Sequence, residues 1–168
     1  MNLFPYCTFL ALFLFVAAPT LAETSQIDAD AVRSCYAETP PKTPRPSCMG
    51  QAANLCQTER PEGSTVISTT EIAGCIMAEA AVWSTLATQV YEALHTHLEA
   101  KADEHAVSQT TAFENSQRAW VSFRDAECEL WLELHKRGSI RPISVADCHL
   151  VHAAQRALVL RDMFEQYR

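Results

Sequence analysis

The sequence predicts an all-α fold: a disulfide-stapled antiparallel bundle of three core helices, preceded by a short cysteine-rich helical extension. Three observations carry this reading. Ile76, Ala80, Trp83, Ala87, Val90 and Leu94 recur at spacings of four, three, four, three and four, the seam of a helix packed on another helix. Further on, Phe113, Gln117, Trp120, Arg124, Cys128 and Trp131 fall on one helical face, which Phe123, Leu130 and Leu134 widen. Alternation of period two is absent, and the β-branched run Thr65-Val66-Ile67 is too short to count as a strand.

Taken in order, residues 1–22 carry no charged side chain, and Phe9 to Ala18 is an apolar run too short to span a bilayer. They read as a secretory signal peptide with Thr20 and Ala22 as its small cleavage residues, so the mature chain is expected to start at Glu23. That leaves 146 of the 168 residues, enough for one core. Six cysteines remain after the cut, an even set that in an exported chain argues for three disulfides.

Residues 23–67 form the extension. Asp28 to Glu38 reads as a short helix, Pro40, Pro41, Pro44 and Pro46 force an extended turn, and Ser47 to Thr58 reads as a second helix. A hairpin of the two helices brings Cys35 to Cys48 and leaves Cys56 for Cys75, although the sequence alone permits fifteen connectivities.

Residues 68–168 form the main helical domain. Ser68-Thr69-Thr70-Glu71 is a capping box that opens the longest helix. The polar segment Lys101 to Thr110 turns the chain, and Thr111-x-x-Glu114 is a candidate second box. The helix that follows ends at His135-Lys136-Arg137 and Gly138, cations over the carbonyl end and then a residue suited to a left-handed cap. Ser144-x-x-Asp147 starts the last helix, whose apolar side is Leu150, Val151, Ala154, Ala157, Leu158 and Phe164. Cys128 and Cys148 flank the intervening turn, and a bond between them closes a helix hairpin worth roughly 3 kcal/mol in the chain-entropy picture.

The formal net charge is −7, with six acids against one base in residues 68–107. This balance disfavours nucleic acid and anionic membrane and favours a cationic partner. Glu92 and Glu99, seven apart, place part of the surplus on one helix face; solubility is the plainer explanation. No phosphate loop, nucleophile elbow or His-Glu-x-x-His is present, and four glycines leave little for a phosphate cradle. His149 and His152 share a helical face but need further ligands, and His95 and His97 point apart, so no metal or cofactor is expected. No catalytic constellation stands out, and the chain reads as a non-enzyme.

Within the central helix, Gln117 and Arg124 are either edge residues with wet heads or part of a buried pair. Glu79, one position before the Ala80 seam site, is a candidate partner for Arg124 across the core. Glu127 at i+3 from Arg124 is the local alternative.

The stretch Gln117-Arg118-Ala119-Trp120-Val121-Ser122-Phe123-Arg124-Asp125-Ala126-Glu127-Cys128 resembles the signature of the lysozyme inhibitor LprI-like family of exported bacterial proteins. Gly138-Ser139-Ile140, Cys148, Arg156 and Leu160 follow in the family's order, and Cys75, Glu79, Trp83, Tyr91 and Leu94 resemble its first helix. The family's Asp-x-x-Leu-Asn is here Ser84-x-x-Ala87-Thr88. The resemblance covers about residues 72 to 162. It implies an all-α periplasmic or secreted domain with a Cys128–Cys148 bond, not membrane-inserted after signal cleavage. It also suggests a cationic lysozyme as partner. On that reading, Glu92 and Glu99 steer approach and the turn carrying Lys136, Arg137, Ser139 and Arg141 meets the catalytic carboxylates; a helix end with its usual cations is the plainer account of that turn. An envelope interaction module without inhibition is the alternative.

Overall fold

The computed structural model describes residues 27–58, 66–101 and 104–168. The expected signal peptide and the loop from Arg60 to Ser64 lie outside the described residues. Five helices follow in order: α1 (Ala29–Glu38), α2 (Gln51–Thr58), α3 (Thr69–Glu99), α4 (Ala106–Leu134) and α5 (Arg141–Tyr167). Among the described residues there is no strand, and no helix is long and apolar enough to cross a membrane.

Local chemistry accounts for most boundaries. Asp28 caps α1 by accepting from the Asp30 and Ala31 amides. Ser68 and Glu71 form the expected reciprocal box at the start of α3. Other boundaries differ from expectation. Cys48 precedes α2 rather than sharing a helix with Cys56. The turn before α4 is short, so Thr111 lies inside that helix, which starts at Ala106 without a side-chain cap. Pro142 opens α5 in the first turn, where its missing N–H costs nothing, so Ser144 and Asp147 lie inside the helix. Leu134 ends α4 before the basic residues, and Gly138 is not in the left-handed region; among the described residues the positive-φ glycine is Gly50, at φ 88°.

His95 on α3 meets Glu114 in α4, Cys128 late in α4 meets Cys148 early in α5, and His97 meets the end of α5 at Tyr167. Successive long helices therefore run antiparallel, and α3 and α5 run parallel to each other. These two make the centre. Ala80 and Ala87 on α3 and Ala153, Ala154 and Ala157 on α5 are all buried in one cluster with Trp83, Leu94, Leu150, Leu158 and Leu160. Small side chains at the facing positions let the helix axes approach closely.

The extension joins the same core through Val32, Cys35 and Ala52. All three disulfides have the expected partners: Cys35–Cys48, Cys56–Cys75 and Cys128–Cys148. The second of the three core helices departs from expectation. From α4, only Phe113 enters the main cluster, while Phe123, Leu130, Trp131 and Leu134 are exposed. The helix carrying the most distinctive stretch of sequence lies against the outside of the α3–α5 pair.

Candidate functional site

Glu79 is 1% exposed, and the Glu79–Arg124 pairing does not form. One carboxylate oxygen of Glu79 accepts from the Gly50 amide at 2.7 Å and the Trp83 indole N–H at 3.2 Å; the other accepts from the Ala53 amide at 2.8 Å. Gly50 and Ala53 stand at the start of α2, where helical N–H groups lack intrahelical partners and the dipole is positive. Glu79 is thus the N-terminal cap of α2, supplied from α3. This carboxylate, the Cys56–Cys75 bond and the packed Ala53 dock the extension.

The cation buried in the core is Arg156, 7% exposed. Its Nε donates to Gln117 at 2.8 Å, and its guanidinium lies 5.4 Å from the centre of the Trp120 ring. Among the described residues its Nη2 has no hydrogen-bond partner. Burial lowers its pKa, with the nearby Tyr91 acting in the opposite direction. Arg124 lies 5.0 Å from the same indole and pairs with its neighbour Asp125 at 2.6 Å instead of with Glu79 or Glu127. Gln117 and Trp120 therefore hold α4 against α5 through Arg156. Arg118 faces outward, and its closest carboxylate is Glu114. Tyr91 stacks on Phe113 at 4.9 Å, tying α3 to α4 at the other end.

Glu127 accepts from the His152 imidazole at 2.9 Å, with Phe123 edge-on to that ring at 5.5 Å. The pair lines a cavity of about 290 Å³ shared with Arg45, Trp131, Ser144 and Asp147. The sulfurs of Cys128 and Cys148 and a nitrogen of His152 lie within 4.8 Å of one another. Those sulfurs are bonded to each other, and a metal needs thiolates, so this is a disulfide beside an imidazole rather than a metal centre. His149 is not part of that group, and burial, followed by the Arg124 charge, lowers its pKa; His152 is hydrogen-bonded to Glu127.

The residues expected to bind a partner are all exposed but do not converge. Glu92 lies on α3, and Glu99, at its end, pairs with His95 at 3.3 Å. Arg137 and Ser139 lie in the turn between α4 and α5, and Arg141 is the first residue of α5. Because α4 runs the length between the two groups, they are roughly 30 to 40 Å apart at 1.5 Å per residue. A single small contact cannot include both. Lys136 is engaged with Glu133 at 2.9 Å, leaving Arg137 and Arg141 as the cations of the turn whose side chains make no pairing among the described residues.

A signal for Arg156 lay in Ala153 and Leu160, three and four residues away on its own helical face, where an exposed cation has little place; from the sequence it was expected only as part of the family pattern. The capping role of Glu79 had no such signal, since its partners are backbone amides.

The chain is 25% identical over 159 residues to the uncharacterized 17.7 kDa protein in puhA 5'region of Rhodobacter capsulatus, with 90% of this chain and 93% of that protein covered. No solved structure matches. The profile described as lysozyme inhibitor LprI matches residues 61–160, a span that holds Glu79, the Gln117–Cys128 stretch, Cys148 and Arg156. The chain belongs to the lysozyme inhibitor LprI family.

Proposed function

We propose that this chain is an exported binding protein that inhibits a lysozyme-type muramidase. Family membership carries the reading, and the matched span includes the whole α4–α5 turn. Three closed disulfides fit a periplasmic or secreted location. Glycoside hydrolases of this type flank the scissile bond with two carboxyl groups. Arg137 and Arg141, exposed and without side-chain partners among the described residues, with Ser139 between them, are suited to approach such a pair. Glu92 acts with the overall charge of −7 to steer a cationic enzyme.

A turbidity assay of peptidoglycan lysis by a cationic lysozyme tests this directly, with slower clearing expected in the presence of the protein. Arg137→Glu with Arg141→Glu is expected to abolish the effect. Undiminished inhibition by that variant removes the turn from the reading, and unchanged clearing with the wild-type protein removes inhibition itself. A second reading, an envelope interaction module, draws on the exposed line Phe123, Leu130 and Leu134 along α4.

A further inference from the structure

At the end of the bundle opposite the basic turn, α3, α4 and α5 enclose a cavity of about 320 Å³, within the range of small-molecule sites. Leu94, Leu98 and Phe113, all buried, line it together with Met163 and Tyr167, which are more exposed. The walls are held in place: Phe113 stacks on Tyr91, and the Tyr167 carbonyl accepts from His97 at 2.9 Å. Among the described residues Lys101 is the one charged residue that lines the cavity, with Gln109 as a further polar one. Between Arg60 and Arg118 it is also the sole Lys or Arg of the sequence, in a segment with eight acids. Among the described residues no carboxylate pairs with it.

We infer that this cavity binds a single-chain amphiphilic anion of the fatty-acid class, its alkyl chain against Leu94, Leu98 and Phe113 and its carboxylate on Lys101 and Gln109. An apolar cavity lined by one lysine, which no carboxylate pairs with among the described residues, matches a ligand that is apolar along its length and anionic at one end. A cationic amphiphile would meet the Lys101 charge, and a neutral one would forgo the charge-assisted bond. The inference is independent of muramidase inhibition.

Decanoate titrated below its micellar concentration into the disulfide-closed chain by calorimetry is expected to bind at one site. Decanol should bind about tenfold more weakly, the worth of one charge-assisted hydrogen bond, and decylammonium more weakly still. Lys101→Glu should reduce decanoate affinity by at least that factor. Ala112→Trp, a change at an exposed lining position, should block all three probes while the circular dichroism spectrum and Tm hold. Equal binding of the three probes by the wild-type chain, or decanoate binding that survives Ala112→Trp, overturns the inference. So does a dimer that Ala112→Trp dissociates, since the cavity would then be covered by a second copy.

Discussion

Among the described residues Glu79 and Arg156 are the two buried carboxylate and guanidinium side chains, one on each central helix, and they are satisfied in different ways. Both oxygens of Glu79 are engaged by three N–H donors, two of which are helix-terminal amides. Among the described residues Arg156 has one side-chain acceptor, an indole face shared with a second guanidinium, and a buried Nη2 without a partner. The difference lies in how each charge is used: Glu79 docks the extension on α3 through directed charge-assisted bonds, whereas Arg156 holds α4 through one hydrogen bond and an aromatic face, beside the Cys128–Cys148 bond and the Glu127–His152 pair that also join α4 to α5. Removing Glu79 strands donors that have nowhere else to go. Removing Arg156 relieves a donor already stranded.

The largest expected effect that follows is on Glu79→Ala. Leaving two backbone amides and an indole N–H unpaired, together with a cavity, should cost about 3–5 kcal/mol in urea denaturation. Glu79→Gln should cost less because it keeps one acceptor, and a loss under about 0.5 kcal/mol in either variant would break the contrast. Opening Cys128–Cys148 by a double Ser substitution should cost about 3 kcal/mol for its twenty-residue loop, and should loosen hydrogen exchange in α4 more than in α1 and α2. Arg156→Met, which keeps the volume and discards the orphan donor, should change stability by no more than about 1 kcal/mol in either direction. A loss as large as that of Glu79→Ala would show that the two attachments are equivalent.

Gly50→Ala sharpens the Glu79 side. Nothing lies within 4 Å of the added methyl, so its expected cost of about 1–2 kcal/mol reflects backbone conformation alone. The smallest effect is a pH dependence at the α3–α4 contact. The Glu114 hydrogen bond chiefly raises the His95 pKa, and the same bond chiefly lowers that of Glu114. The stabilisation from His95 is complete below its unfolded pKa of about 6.5 and is lost as the pH rises through the higher folded value. That from Glu114 is present above its unfolded pKa and is lost as the pH falls through its lowered folded value. The Tm advantage of wild type over His95→Gln should therefore be greatest between about pH 5 and 6 and shrink toward pH 8. A gap that does not vary with pH would refute the linkage.

The parts of the fold legible in the sequence were those written locally. The Ser68–Glu71 box, the α3 seam and the cysteine pairs each depend on residues close in sequence or on helix order. Less legible was anything decided by which helix becomes central. The aromatic and basic residues of Gln117–Cys128 suggested a core element. The short side chains of α3 and α5 favour closer contact, so α4, with its bulky and charged face, was left outside. Arg124 was the more conspicuous cation because of the aromatics beside it in sequence, yet Arg156 is the buried one. Of the candidate partner-binding residues, the sequence named exposed positions, and the helix that separates them was itself legible from its limits.

The disulfides form three closed loops, Cys35 to Cys48, Cys56 to Cys75 and Cys128 to Cys148, and no loop crosses or encloses another. As a chain emerges N-terminus first, each of these six cysteines meets its native partner before those of the next loop have appeared. Oxidation in order of appearance therefore yields the native set without a wrong bond to undo. Maturation of this protein should depend on an oxidant and be indifferent to a disulfide isomerase.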